Sequence, residues 1–587
     1  MAAGEDHISR LTDDLLRLIL RLVPAKEGAF TTMLSRRWRP LWTSSGAVNI
    51  VARILENDEQ HVMESTAFYA RRDRFVAGTF KALDAFHKAA ILDPVKTLTL
   101  RVEGQAGNII RDYLNRDADW RGRPQVLAKL LSHPAARKLE EIRIAAVDNI
   151  DGEPMLFEQI DREADPNSFR VRLYTLSIGS LPSRTIRVLD LTNCGELAPA
   201  SSELPFPLLV SLRLRHCNVP LEVLQGLIRA APKLSSIYLE YVLLEEQQSF
   251  QEDDDPPQDA VLRLLSCPSA RVLVIDRCCI KEEGTFRIYA PLLWRFEYTG
   301  VIRNLLLSPP PLDLVQAEVT LVDYRRKLER DPVAARHNFW SIVRGLCHAR
   351  QLTLHIFHIE EFAVATKADQ ATLLPVLPNL KRLKLDGVFW PTRTEAATTI
   401  GNLLRCCPAL VHLRLNLRTH QEMQTVSESD ALAFLKRKYE DEFKESISRL
   451  ERHRTQQAVA ARDKEEDFKE STSRFKRRRT LQAVTATDNE DDVYFDDTVP
   501  DLAGLSDHTF ECLESSLRTV SLQFLYAEKN RFAVYLVKYF IKRGKVLEKI
   551  FVDPGNQRFG DRMSIKIEKW VTCLSTRRIK VLPLLRD

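Results

Sequence analysis

Residues 209–219, LVSLRLRHCNV, contain the spacing that decides the fold of this chain. Their apolar positions follow the frame Leu209-x-x-Leu212-x-Leu214-x-x-Cys217-x-Val219. Because side chains two residues apart lie on the same side of a strand, Leu212 and Leu214 are predicted to point into a core. The cysteine then turns inward where the backbone leaves the strand.

The same frame recurs through the middle of the chain. Copies begin at Ile186, Leu234, Ala270, Leu293, Leu380 and Leu410, and weaker ones begin at Leu139, Leu173 and Ala349. Helical returns are expected between strands, for example at Leu221–Ala231 and Ala397–Cys406. This is the leucine-rich-repeat pattern. Because each unit buries its apolar side only against its neighbours, it predicts a curved solenoid over residues 139–429, with Cys194, Cys217 and Cys278 as core thiols.

Polar residues alternate with the buried ones and are expected on the concave face of the solenoid. They are Asp190, Arg213, Arg215, Tyr238, Glu240, Asp276, Arg295, Glu297, Arg382, Lys384, His412 and Arg414. A solvated sheet would have a similar composition, but solenoids commonly bind proteins on this side. We therefore predict a target-binding surface of Arg213, Arg215, Tyr238, Glu240, Arg295, Arg382, Lys384 and Arg414. Reversal of Arg213 and Arg215 to Glu is expected to weaken target capture without unfolding the chain.

The first fifty residues predict short helices. Thr12 suits an N-cap, and Leu15, Leu16, Ile19, Leu22 and Val23 then recur at helical spacing before Pro24 ends the helix. A second helix is expected over residues 26–34, and a third from about Ser35. So short a segment exposes more Leu, Ile and Trp than one small core can bury. These side chains pack either on another protein or on the chain's own next domain.

This segment resembles an F-box of the form common in plant proteins. The matching positions are Asp6, Ile8, Ser9, Leu11, Asp13, Leu15, Leu16, Ile19, Leu20, Leu34, Ser35, Arg37, Trp38, Arg39, Leu41 and Trp42. In that family the motif binds a Skp-type adaptor, which bridges to a cullin ubiquitin ligase. The resemblance implies adaptor contacts from Ile8, Leu11, Leu15, Leu16, Ile19, Leu20, Leu34, Trp38, Leu41 and Trp42. Thr12 replaces the usual Pro, and Gly28 and Phe30 replace the usual Ala and Arg.

A charged insertion at residues 430–498 interrupts the repeats. Residues 443–464 and 468–489 are identical at 14 of 22 positions, which indicates an internal duplication with a period of 25. A solvated helix or a partly disordered segment fits this composition. The basic cluster Lys476, Arg477, Arg478 and Arg479 is either a nuclear import signal or the charged face of a helix.

Residues 499–587 return to an ordered pattern. Cys512–Leu522 resumes the strand frame, Phe532–Ile541 predicts a helix, and Leu547, Ile550 and Val552 predict another strand. From Cys512 to about Val552 this order is similar to the FBD domain that follows leucine-rich repeats in many plant F-box proteins. We expect it to cap the last repeat, with an interaction role also open.

Composition excludes several classes of function. The chain has 587 residues, with 85 Lys and Arg against 80 Asp and Glu, and the net charge of +5 does not predict nucleic-acid binding. Its longest apolar run is too short to span a membrane, and dispersed cysteines indicate reduced thiols in the nucleus or cytoplasm. Catalytic signatures are not found, and His355 and His358 are expected on opposite strand faces. We therefore expect a non-enzyme with neither cofactor nor metal.

Together these patterns predict an α/β chain of five parts. They are a three-helix F-box (1–50), a helical linker and first repeat region (51–138), the leucine-rich-repeat solenoid (139–429), the charged insertion (430–498) and an FBD-like α/β cap (499–587). The resemblance implies the substrate-recognition subunit of a Skp–cullin–F-box ubiquitin ligase, with an unknown target protein on the solenoid. The alternative is a repeat scaffold with no role in ubiquitin transfer.

Overall fold

The structure is a computed structural model of the chain. It describes residues 8, 10–53, 66–89, 94–104, 126–148, 174–198, 205–244, 263–280, 285–322, 331–390, 395–419, 502, 504–506, 508–524, 531–553, 567–573 and 579–583. The duplicated segment and the basic cluster at 476–479 lie outside these residues.

Ten α-helices with defined bounds occur among the described residues, and residues 567–573 are also helical. The ten are α1 Asp13–Leu20, α2 Ala25–Thr31, α3 Thr66–Ala89, α4 Val126–Leu131, α5 Leu221–Arg229, α6 Pro332–Gly345, α7 Lys367–Leu373, α8 Glu395–Cys406, α9 Glu511–Ser515 and α10 Arg531–Arg543. Short 3-10 helices cover Pro134–Lys138, Ile178–Ser180 and Ile359–Phe362. The predicted returns before Leu234 and Leu410 are confirmed as α5 and α8, and the predicted C-terminal helix is confirmed as α10.

The strands are short and numerous. They are β1 Ala47–Arg53, β2 Thr97–Gly104, β3 Glu141–Asp148, β4 Tyr174–Ser177, β5 Val188–Thr192, β6 Cys194–Ala198, β7 Ser211–Arg215, β8 Ser236–Glu240, β9 Leu243–Leu244, β10 Arg263–Ser266, β11 Val272–Asp276, β12 Cys279–Ile280, β13 Phe286–Tyr289, β14 Arg295–Gly300, β15 Leu305–Leu307, β16 Gln316–Leu321, β17 Gln351–Ile356, β18 Arg382–Phe389, β19 His412–Thr419, β20 Thr519–Phe524, β21 Lys549–Asp553 and β22 Lys580–Pro583.

The chain divides into two compact units. The first comprises Met1–Phe357, Val364–Lys384 and Asn402–Leu410, and the second comprises His358–Ala363, Leu385–Gly401 and Val411–Asp587. In the first unit a large sheet runs in the order β1-β2-β3-β5-β7-β8-β11-β14-β16-β17, and every neighbouring pair is parallel. In the second unit β19, β20, β21 and β22 pair in that order, also in parallel.

Strands β5, β7, β8 and β11 alternate between buried and half-buried residues, as the frame predicts. Leu212 and Leu214 are fully buried, and their register partners on β8 are Ile237 and Leu239. Apolar side chains therefore stack from strand to strand along one face, which is how a parallel repeat array builds its core. This mixed α/β architecture with a large parallel sheet is consistent with a leucine-rich-repeat solenoid, whose curvature stays a prediction.

Some details differ from the sequence-based expectation. Cys194 and Cys217 are buried, but Cys278 is only half-buried, with its thiol 3.3 Å from the Leu239 carbonyl. The weak copy at Leu173 forms β4, which pairs with β6 in a small separate sheet. Strand β16 was not predicted because Ala317 occupies a position where the frame expects a larger apolar residue.

The predicted third helix of the N-terminal segment is wrong. Residues 35–45 form successive turns, in which the Trp38 amide donates to Ser35 and the Leu41 amide donates to Trp38. Pro40 lies inside this stretch, where it supplies no backbone N–H and disfavours helical geometry at the residue before it. The first two predicted helices are present as α1 and α2.

Candidate adaptor- and target-binding surfaces

Helix α1 begins as the sequence predicts. The Thr12 hydroxyl accepts a hydrogen bond from the Leu15 amide at 3.5 Å, and Asp13 and Asp14 lie in the positive first turn. Arg37 from the turn segment reaches back and bonds Asp13 Oδ1 at 2.8 Å, and it also donates to the Leu11 carbonyl. These contacts fold the turn segment onto the start of α1.

One apolar face of the N-terminal segment packs on the chain itself. Leu16, Leu20 and Leu41 are at most 1% exposed. Trp42 is also buried, and its ring meets Phe86 of α3 edge-on with centroids 5.0 Å apart. These four predicted adaptor contacts are therefore corrected to core residues, because a buried side chain presents no surface to a partner.

Polar contacts fix the segment to the edge strand. The Asn49 amide on β1 donates to the carbonyls of Arg21 and Val23, at 2.6 and 3.2 Å, just beyond the end of α1. Arg17 bonds the Ser44 hydroxyl at 3.0 Å, and Arg21 bonds the Ser45 carbonyl at 3.0 Å. These contacts join α1 and the residues just after it to β1 and to the two serines that precede this strand.

A second apolar face of the same segment is exposed. Leu15, Ile19 and Leu34 are 46%, 44% and 67% exposed, and Ile8 is also exposed. Four further exposed side chains were not singled out as adaptor contacts: Leu18, Leu22, Phe30 and Met33. The sequence could have indicated Leu18 and Leu22, because residues 15, 18, 19 and 22 follow the spacing of one helix face. Leu11 and Trp38 are half-buried between the two faces.

The predicted target-binding residues lie at outward positions of the parallel strands. Arg213 on β7 lies opposite Tyr238 on β8, and Arg215 lies opposite Glu240. Farther along the sheet Arg295 lies opposite Val272 of β11. In the first unit Arg382 is exposed and Lys384 is half-buried, and in the second unit Arg414 is half-buried on β19. All eight residues therefore occupy outward positions, and their role in target binding stays a prediction.

The residues on β5, β7 and β8 form an internal charge network. Arg215 bonds Asp190 at 3.1 Å, Arg213 lies 3.5 Å from Glu240, and its guanidinium also lies 4.4 Å from the Tyr238 ring centroid. Burial raises the pKa of the Glu240 carboxyl, while Arg213 and Arg215 act in the opposite direction. A charge reversal at Arg213 would therefore disturb the sheet as well as any bound partner, so it is a poor probe of binding.

Residues in left-handed conformation follow four strands of this region. Asn193, His216, Tyr241 and Arg277 have φ between 48° and 59°, and each amide donates to a carbonyl at the end of the next strand. His216 stacks on Tyr241 with centroids 4.7 Å apart, and Arg277 donates to the Tyr241 hydroxyl. Burial, together with Arg215, lowers the pKa of His216 to about 4.

The histidine pair singled out in the sequence does not converge. His355 lies 3.3 Å from Glu318 of β16, whereas His358 follows the strand in a left-handed conformation, buried 3.8 Å from Glu360. Among the residues that the structure describes, no group of three His, Cys, Asp or Glu side chains could hold a metal ion. The described helices also include none with the length and apolar character needed to cross a membrane.

Comparisons with known proteins agree with the sequence motifs. No family model matches the chain. An F-box/FBD/LRR-repeat protein of Arabidopsis thaliana is 23% identical over 469 residues, which cover 74% of this chain and 86% of that protein. A putative F-box protein of the same plant is 21% identical over 415 residues, covering 71% of this chain and 75% of the relative.

A higher identity is confined to short regions. A putative F-box/FBD/LRR-repeat protein of Arabidopsis thaliana is 37% identical over 89 residues, or 15% of this chain. The matched regions span only 17% of that relative and 31% of another putative F-box/FBD/LRR-repeat protein. The resemblance to plant F-box/FBD/LRR-repeat proteins is nevertheless confirmed, since an F-box/FBD/LRR-repeat protein and a putative F-box protein each match about 70% of the chain.

Proposed function

We propose that this chain is the substrate-recognition subunit of a Skp–cullin–F-box ubiquitin ligase. The supporting observation is the two-sided N-terminal segment: Leu16 and Trp42 are buried, while Leu15, Ile19 and Leu34 remain exposed. An exposed apolar patch on a firmly packed element is typical of a protein-binding site. The resemblance to F-boxes names the partner as a Skp-type adaptor.

The chain would act by proximity and would make no covalent bond itself. Its N-terminal segment would bind the adaptor, and the outward face of the sheet would bind the target. Two binding events on one chain raise the local concentration of the target beside the ligase machinery. The separate catalytic subunits would then transfer ubiquitin.

The test is direct binding of the full chain to a purified Skp-type adaptor, measured by calorimetry. Leu15→Ala/Ile19→Ala removes exposed apolar surface, and we expect at least about tenfold weaker binding with an unchanged circular dichroism spectrum. Leu312→Ala, at a leucine 75% exposed outside the N-terminal segment, is the matched control and should bind normally. Equal affinities for the double variant and the control would exclude this face as the adaptor site.

A second candidate is a repeat scaffold in which the N-terminal segment serves only as a cap on the sheet edge. The burial of Leu16, Leu20 and Leu41 and the Asn49 contacts support it. It predicts that the intact, folded chain binds no Skp-type adaptor. Leu16→Ala would still destabilise the protein, by about 2–5 kcal/mol, because the side chain is fully buried.

We further propose that the chain works in the nucleus, the cytoplasm or both, with Lys476–Arg479 as an import signal. The support is compositional, because four adjacent basic residues are a common import pattern. Replacement of all four by Ala in a fluorescent fusion should reduce the nuclear fraction. An unchanged distribution would contradict the import role.

A further inference from the structure

A pocket of about 350 Å³ lies in the first unit, and its described lining includes none of the residues assigned to the adaptor or the target. Its walls come from the segment around α4 and the following 3-10 helix, and from the turn that precedes β5. The lining residues are Leu131, Ser132, Arg137 and 180–185. This volume is at the lower end of the ~300–1,000 Å³ typical of small-molecule sites.

The pocket carries positive charge that the described part of the protein does not neutralise. Arg137 and Arg184 are both exposed lining residues. Neither guanidinium has an ion pair or a hydrogen bond with another described residue, and the described lining residues include no carboxylate. Two arginines with no partner among the described residues, beside a cavity, favour an anionic ligand, because guanidinium donors match the geometry of phosphate oxygens.

A further hydroxyl in the pocket lining can donate to a ligand. Ser132, Ser180 and Thr185 donate to the carbonyls of Lys129, Ser177 and Leu139, at 2.7–2.8 Å, so their protons are already used. Ser183 is different, because it is only 9% exposed and its hydroxyl bonds to no described residue. A ligand oxygen in the pocket would supply a partner for this hydroxyl.

We propose that this pocket binds the phosphate group of a small phosphate monoester. Arg137 and Arg184 would balance the charge of the phosphate dianion, and the Ser183 hydroxyl would donate to one of its oxygens. The remaining volume would hold the organic part of the ester beside Leu131 and Leu181, which are both buried lining residues. This inference does not depend on the proposed ligase role.

Calorimetric titration of the full chain tests the assignment with O-phospho-L-serine, inorganic phosphate and L-serine. We expect saturable binding of O-phospho-L-serine, weaker binding of inorganic phosphate and none of L-serine. Arg137→Ala/Arg184→Ala should weaken the ester at least about tenfold, since each charge-assisted contact to phosphate is strong. The matched control Arg271→Ala removes another exposed arginine, outside the pocket lining, and should leave affinity unchanged.

Ser183→Ala separates a ligand contact from a structural role. Because the hydroxyl has no described protein partner, the melting temperature without ligand should stay the same while affinity for the ester falls several-fold. Binding that does not saturate below about 10 mM, or equal losses in the double variant and Arg271→Ala, would overturn the proposal. An ester that binds no more tightly than inorganic phosphate would overturn the assignment to a monoester.

Discussion

The backbone of Gly28 in α2 lies directly against the indole of Trp42. A Cβ at Gly28 would lie 2.5 Å from Trp42 Cδ1 and 2.6 Å from Nε1, closer than side-chain contacts allow. This contact explains why Gly stands where the F-box pattern usually has Ala. The tryptophan that joins the segment to α3 occupies the space that an alanine methyl would need.

Gly28→Ala should therefore destabilise the N-terminal segment by about 1–3 kcal/mol, the usual cost of overpacking a buried contact. Hydrogen exchange of the α1 and α2 amides would report the loss as faster local opening. Gly78→Ala is the matched control, because Gly78 lies in α3 with no atom within 4 Å of its would-be Cβ. The control should stabilise its helix by about 0.5–1 kcal/mol. Equal protection in Gly28→Ala and the unmodified protein would contradict the contact.

Stability should fall in mild acid because of His216. Its folded pKa is lowered from 6.5 to about 4 by burial and by Arg215, so the unfolded chain takes up a proton at a pH where the folded protein does not. The contribution of His216 to the free energy of unfolding is complete above pH 6.5. It is lost as the pH falls towards 4, by about 3 kcal/mol in all.

His216→Asn removes the titrating group, and asparagine tolerates the left-handed backbone. Urea unfolding at several pH values should show a shallower acid dependence in this variant. Parallel pH profiles for the two proteins would mean that His216 titrates normally in the fold.

The core cysteines should resist alkylation. Burial raises the pKa of the Cys217 thiol to about 12, so almost no thiolate exists at neutral pH. Cys573 is exposed and should react before Cys217. Mass spectrometry after brief iodoacetamide treatment of the native protein would show modified Cys573 and unmodified Cys217. Rapid labelling of Cys217 would show that the repeat core opens easily.

The extreme C-terminal part should contribute to the stability of the second unit. Trp570 is fully buried, and the Lys538 ammonium of α10 lies 4.9 Å from its ring centroid. Trp570→Ala should cost about 3–5 kcal/mol, which hydrogen exchange of α10 would detect. Trp294→Ala, at a tryptophan 47% exposed in the first unit, is the control and should cost far less. Unchanged exchange of α10 in Trp570→Ala would mean that this packing is dispensable.

The strand frame was predictable wherever two large apolar residues stand two apart, as Leu212 and Leu214 do. It failed for β16, because Ala317 makes a weak local signal and is buried only through its neighbours on β14 and β17. Strand β2 was also not predicted, although Val95, Leu98 and Leu100 have the spacing of the frame and are buried. The FBD resemblance fades after Asp553, yet β22 continues the parallel pairing as far as Pro583.

The sequence by itself determined the repeat frame, the inward leucines and the F-box resemblance, because these depend on spacing along a strand or helix. Only the tertiary structure decided which apolar residues of the N-terminal segment are free to bind. Leu15 and Leu16 are adjacent and equally apolar, yet one is 46% exposed and the other is fully buried. The physical reason is that periodicity identifies the faces of a helix, whereas burial depends on what packs against each face. In this segment the contact of Trp42 with α3 is one such packing.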